Sequence, residues 1–222
     1  MTTLTTAPVS TLLDGLFAEA DRDFTNMPAA FTALPEEERQ QLMTSSTDYP
    51  RLYSALKNEA LAVSRETGTL LYMLARSSRA CSIVEFGTSF GVSTLHLAAA
   101  LRDNGGGRLI TSEFEPSKAA RARETFAASG LADLIELREG DALETLGQDL
   151  PATIDLVLLD GAKGLYPAIL ARLESHLRPG ALVLADNADW SPDYLKRVRD
   201  TTGRFLSVPF ASDVELSMRL GG

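Results

Sequence analysis

Most of the chain is built on one alternation. From Cys81 onward, short apolar runs take turns with segments whose apolar residues recur at helical spacing. "SIVEFG" leads into "GVSTLHLAAALRD", "GRLITSEFE" into "PSKAARARETFAASG", and "LIELREGD" into the short "ALETLGQ". "IDLVLLD" is followed by "LYPAILARLESHL" and "GALVLADN" by "SPDYLKRVRDT", before a last pair, "FLSVPF" and "ELSMRL". Strands that alternate with helices predict an α/β fold, a mostly parallel sheet with helices on both faces. "DNGGG" and "RPG" supply the turns back into strands. Residues 1–78 carry no strand pattern. Helical spacing in "VSTLLDGLFAEADRD" and "RLYSALKNEALAVSRETGTLLYMLARSS" predicts a helical extension there, with Met73 among its core positions. With no repeat or low-complexity linker, a single domain follows: the extension, then a core over 79–222.

The balance of charge narrows the partners. A net charge of −9 over 222 residues excludes a phosphate-binding surface for nucleic acid and disfavours an anionic membrane. No apolar run reaches the roughly 20 residues needed to span a bilayer. The N-terminus lacks a basic region followed by an apolar one, so the expected location is the cytoplasm. The one cysteine, Cys81, opens an apolar run and is expected to be a buried thiol.

Gly87-Thr88-Ser89-Phe90-Gly91 fits two chemistries. As G-x-S-x-G it matches a hydrolase nucleophile elbow, but that elbow needs strands upstream, an oxyanion loop and a histidine late in the chain. The upstream sequence is helical, and His96 and His176 both fall on helices. The esterase reading is therefore poor. As a glycine-rich loop between strand and helix, the same residues form a cofactor floor. Glu85 and Gly87 then lie at a strand's carboxyl end, Gly87 and Gly91 allow close approach, and Thr88 and Ser89 offer hydroxyls. Glu113, at the next strand end, can accept both hydroxyls of a ribose, and Asp141, at the third, an adenine amino group. The loop is not G-x-G-x-x-G, and three acids suit a net-cationic cofactor better than a pyrophosphate.

Two further strands end in carboxylates, "LVLLDGAKGLY" in Asp160 and "LVLADNADW" in Asp186-Asn187. Either dipeptide alone is a common turn former. Together they are hard oxygen donors of the kind that hold Mg²⁺. Lys163 follows Asp160 by one helical turn and is read either as a base or as an ion-pair partner. Trp190 and Tyr166 stand beside this group, as a ring wall or as packing.

These motifs resemble the metal-dependent S-adenosylmethionine O-methyltransferases of the catechol and caffeoyl-CoA type. The resemblance runs from about Val63 to Gly222 and is carried by "EFGTSFGVSTL", "ITSEFEP", "LLDGAKGLY" and "LADNADW" in order. It implies a Rossmann-like class I methyltransferase with a seven-stranded sheet whose last strand is antiparallel. It implies S-adenosylmethionine held by Val63, Glu85, Gly87, Thr88, Ser89, Gly91, Ser93, Glu113, Asp141, Ala142 and Asp160. It further implies a divalent metal, Mg²⁺, on Asp160, Asp186 and Asn187, with Lys163 as base. "SDVELSMRLGG" resembles the catechol-type ending, which carries over an acid for the second hydroxyl to Glu215. The missing insertion after Asn187 disfavours a bulky CoA ester and leaves a small, catechol-like aromatic hydroxyl as acceptor. A homodimer is an expectation of the resemblance alone. Two other functions stay open: a metal-independent small-molecule methyltransferase and a non-catalytic nucleoside binder.

Overall fold

The apolar runs from Ser82 onward pair into one seven-stranded sheet. A computed structural model describes residues 1–25, 29–211 and 213–221. Its strands are β1 (Ser82–Phe86), β2 (Arg108–Glu113), β3 (Ile135–Glu139), β4 (Ile154–Leu159), β5 (Leu177–Ala185), β6 (Phe205–Phe210) and β7 (Val214–Arg219), in spatial order β3-β2-β1-β4-β5-β7-β6. The first five are parallel to one another, and β7 runs antiparallel to both β5 and β6. This is the α/β class that the alternation predicts. It also has the seven strands and antiparallel last strand that the resemblance implies.

Helices cover both faces, which is why the central strands read as unbroken apolar runs. The helices are α1 (Val9–Thr25), α2 (Glu36–Thr44), α3 (Tyr49–Ala55), α4 (Arg65–Ser77), α5 (Val92–Asn104), α6 (Pro116–Ser129), α7 (Ala142–Thr145), α8 (Tyr166–Leu173) and α9 (Pro192–Val198), with one further short turn of helix at Ala29–Thr32 between α1 and α2. One core layer joins β1 and β4 to α5, α4 and α1 through Ile83, Leu158, Leu95, Leu71 and Phe17. The other joins the opposite face to α8 and α9 through Val84, Val157, Ile169, Leu170, Tyr194 and Val198. α5 is buried from Val92 through Leu101, because sheet and extension enclose it from both sides.

The extension is tied to the core by polar contacts. Asp103 on α5 accepts from the Thr3 amide and from the Tyr72 hydroxyl (2.6 Å), and Arg121 pairs with Glu19; within the extension, Asp23 accepts from the Ala60 amide at 2.7 Å. Two expectations fail here. Met73 is 59% exposed, on the outer side of α4, and Cys81 is exposed because β1 begins one residue later. Among the described residues, no helix is long and apolar enough to cross a membrane.

Chain direction reverses its progress across the sheet between β1 and β4, which is where ligands collect in open parallel sheets. The hydrogen-bond ladder continues past the strand ends at that point. The Asp160 amide donates to Phe86 O (2.8 Å), the Asp186 amide to Leu159 O (2.9 Å), and the Gly87 and Thr88 amides to Ser112 O (3.3 and 3.1 Å). Residues 87, 160 and 186 are thereby held in neighbouring rows. Gly87 makes the tightest approach: its φ is +102°, and a Cβ there would lie 2.6 Å from the Asp160 carbonyl oxygen. Gly87→Ala is expected to lower the unfolding free energy by about 1–3 kcal/mol, measured by urea denaturation. An unchanged midpoint would show that the β1 and β4 ends are not locked together at this residue.

Candidate active site

A cleft of about 1140 Å³ opens over these strand ends. The extension forms its roof through Phe31, Met43, Leu52 and Tyr53, and the glycine loop and strand ends form its floor. Tyr49 joins the two: its hydroxyl donates to Asp141 Oδ2 (2.7 Å), and its ring meets Phe114 edge-on at 5.8 Å.

One half of the cleft lies over β1 and β2. The loop turns into α5 at Gly91, whose φ is +94°. Thr88 Oγ1 donates to Ser112 O at 3.0 Å, which secures the loop to β2. The Ser89 and Glu115 amides donate to the two carboxylate oxygens of Glu113, at 2.8 and 2.9 Å. Burial pushes the Glu113 carboxyl up, against those two bonds and the nearby Lys118. Ser89 Oγ and Ser112 Oγ are buried on this wall without a protein partner. Buried hydroxyls without partners are uncommon, and a hydroxyl-bearing ligand such as the ribose of S-adenosylmethionine would supply them. The residues present therefore fit that cofactor.

Of the predicted cofactor residues, Val63, Gly87, Thr88, Ser89, Ser93, Glu113, Ala142 and Asp160 line the cleft. Glu85, Gly91 and Asp141 do not. Glu85 is 0% exposed and accepts from Ser93 Oγ, Thr94 Oγ1 and Thr111 Oγ1, each at 2.6 Å. Burial pushes its carboxyl up to about 7 despite those three hydroxyls. Gly91 faces the Phe126 ring. Asp141 caps α7 by accepting from the Leu143 amide (2.8 Å) while it holds Tyr49, so Gly140 and Ala142 make the wall at that strand end.

The other half lies over β4 and β5. Lys163, 5% exposed, donates to Asp160 Oδ1 (3.0 Å) and to the Tyr166 hydroxyl (2.9 Å), which in turn donates to Asp186 O (2.8 Å). Burial pulls the Lys163 pKa down, but Asp160, Tyr53 and Asp186 outweigh it and hold the ammonium above its ordinary value. Burial, and then the charge of Asp160, pushes Asp186 up to about 7. Asn187 adopts a left-handed backbone (φ 47°) and donates from Nδ2 to Asp213 Oδ2 at 3.1 Å. A carboxylate only accepts, so the amide nitrogen is committed and the Asn187 carbonyl oxygen is left for a ligand. Two half-buried carboxylates facing one lysine, with a carbonyl oxygen beside them, fit a divalent cation of the Mg²⁺ kind, which is bound through one or two carboxylates and keeps its waters. Among the described residues, no group of three His, Cys, Asp or Glu is placed to hold a metal, so this set depends on the amide.

Glu215 does not join this group. It is 1% exposed and closed off by Arg199 (2.8 and 2.6 Å) and Ser207 (2.6 Å), on the sheet position opposite Ala185. The acid that lines the cleft from this segment is Asp213, two residues earlier and just before β7. Trp190 lines the cleft, whereas Tyr166 is buried beneath it. His96 is buried, with Nδ1 donating to Val92 O (2.8 Å) and its ring against Phe17, and His176 bonds Pro151 O (2.7 Å). Neither approaches Ser89, so no triad forms. Tyr49, Tyr53, Asp213 and Lys118 belong to the cleft without any sequence signal beyond their residue type.

Comparison with known proteins gives the family. A family model described as a methyltransferase domain matches residues 84–188. A catechol O-methyltransferase of Niastella koreensis is 36% identical over 131 residues, 58% of this chain and 58% of that protein. The catechol O-methyltransferase of Sus scrofa is 31% identical over 175 residues, 75% of this chain and 92% of that protein. The chain belongs to the catechol-type O-methyltransferases. Catechol-type relatives from bacteria are longer than the region matched, and the chain spans just over half of their length. The fold is shared as well with an O-methyltransferase of Streptomyces achromogenes involved in tomaymycin synthesis, solved in complex with S-adenosylmethionine. That structure has a TM-score of 0.65 and 25% identity, over 93% of this chain and 99% of that one.

The buried Glu85 gives a pH test. Its carboxyl is held above its unfolded value of 4.5, so its stabilising contribution is complete below that pH and is lost as the pH rises through about 7. The stability of the wild type relative to Glu85→Gln is expected to fall by ~3 kcal/mol between pH 4 and pH 8, measured by denaturant unfolding of the unliganded protein. A pH-independent difference would mean that folding does not raise the Glu85 pKa.

Proposed function

We propose that the chain transfers a methyl group from S-adenosylmethionine to one hydroxyl of a small aromatic diol of the catechol kind, with a divalent cation on Asp160, Asp186 and Asn187. The carrying observation is the single cleft that brings Glu113 and the unpartnered Ser89 and Ser112 hydroxyls together with Asp160, Lys163, Asp186 and Asn187. When bound, the sulfonium supplies an electrophilic methyl group and the cation supplies positive charge against the acceptor oxygen. A phenol has a pKa near 10, so about one molecule in 1,000 is the nucleophilic anion at pH 7.

The chain's own residues position and exclude. Gly87, Thr88 and Ser89 form the floor under the donor, and Glu113 accepts from its ribose. Tyr53, Trp190, Met43 and Phe31 enclose a flat ring and keep water from it. Holding two reactants in line supplies about 7–11 kcal/mol of the barrier. Tyr166 fixes Lys163 by taking one of its hydrogens, which leaves the amine aimed between Asp160 and the cleft. Lys163 serves as base once it has shed its proton. With the charges of Asp160 and Asp186 balanced, burial is the largest influence left on it, and burial favours the neutral amine. Asp213, by holding the Asn187 amide, orients the carbonyl oxygen. The acidic, single-cysteine composition is consistent with work in the cytoplasm, as a monomer or a homodimer.

The test uses a labelled methyl donor and a panel of vicinal diphenols, with Mg²⁺ and with chelator. Turnover is expected only with the metal. Asp186→Ala should lower kcat at least about 100-fold, while the Kd for S-adenosylhomocysteine stays within about threefold. Lys163→Met should lower kcat by about 10²–10⁴. Full activity in chelator would remove the metal from this proposal and favour a metal-independent methyltransferase.

A further inference from the structure

Lys118 is a buried charge in the cleft that this chemistry leaves unused. It sits in the first turn of α6, is 1% exposed, and lines the cleft beside Glu113. Its ammonium lies 5.5 Å from the centre of the Phe90 ring. Among the described residues it makes no hydrogen bond or ion pair. An ammonium carries three donors and no acceptor, and burying one without partners is costly. Burial holds Lys118 below its ordinary pKa, and Glu113 is foremost among the carboxylates that oppose this.

Glu113 is the complementary case. Its carboxylate only accepts, and each oxygen takes a single backbone hydrogen, from Ser89 or Glu115. Lone pairs remain on both oxygens. A ligand group placed between these two side chains must give hydrogens to one and take them from the other. A carboxylate would satisfy Lys118 and repel Glu113, and an ammonium would do the reverse. Hydroxyls do both, because each has one donor and two acceptor positions.

We infer that Lys118 and Glu113 together read a vicinal diol, the ribose of the adenosyl donor, with Glu113 accepting from its hydroxyls and Lys118 donating to them. An acid at this strand end is what the resemblance implies; the lysine facing it is what the structure adds. Lys118 is thus a specificity-determining residue for an intact ribose, and the inference rests on the proposed function in taking the ligand to be adenosyl. The Phe90 ring under the ammonium keeps it in the cleft while the ligand is absent.

Isothermal titration of the unlabelled protein with S-adenosylhomocysteine and with its 2′-deoxy and 3′-deoxy analogues tests the inference. Wild type should bind the parent at least about tenfold tighter than one or both deoxy analogues. Lys118→Met should weaken the parent about tenfold and the discriminated analogue less than about twofold, so that the preference collapses. Lys118→Arg should keep part of the preference. Equal loss for all three ligands in Lys118→Met, or no loss for any, overturns the inference and leaves the proposed function standing. Failure of wild type to bind the parent at all overturns the proposed function and this inference with it. Unfolding of each unliganded variant is followed in parallel, and Lys118→Gln carries the same comparison if Lys118→Met does not fold.

Discussion

Everything in the half of the cleft over β4 and β5 depends on one buried ammonium. Lys163 draws the ends of β4 and β5 together by bonding Asp160 directly and Asp186 O through Tyr166. One positive charge there answers two carboxylates in a poorly solvated place, and burial, followed by the charge of Asp160, raises the pKa of Asp186. Such an imbalance is expensive unless a cation completes it. The backbone ladder past the strand ends fixes the spacing, so the side chains do not have to search for it.

The half over β1 and β2 is organised by hydrogen-bond direction and not by net charge. Glu85 is sealed beneath three hydroxyls, where it anchors the loop and the start of α5 to β2 through Ser93, Thr94 and Thr111. Glu113 performs the outward-facing task with a lysine opposite it. The sequence makes these two carboxylates look alike, since both end a strand in the same crevice. Burial separates them: one is 0% exposed and satisfied within the protein, and the other has lone pairs turned to the cleft.

The fold was legible because periodicity changes type at every boundary after Cys81, and the strand-end positions of Gly87, Glu113, Asp160 and Asp186 follow from that reading. What the sequence hid lies in side-chain direction. Asp141 lies past the end of β3 and turns back to cap α7, while Glu215 lies inside β7, where Arg199 and Ser207 hold it. A shift of two residues keeps the face but moves along the strand, so Asp213, at the turn before β7, reaches the cleft where Glu215 does not. Met73 failed for a related reason: a helix packed on one side leaves part of an apolar stripe in solvent. Tyr49 and Tyr53 could not be found from motifs, since each acquires its place only when the extension folds over the sheet, and Lys118 acquires its place only when the first turn of α6 packs on Phe90.

The contact between Tyr49 and the end of β3 bears on binding. The roof reaches the floor through the Tyr49 hydroxyl on Asp141 and its ring on Phe114, and both partners belong to the strand ends where an adenosyl group would seat. A ligand arriving there settles against the same residues that anchor the cover over the neighbouring compartment. Under the proposed function, occupancy of the first compartment and shaping of the second would be one event.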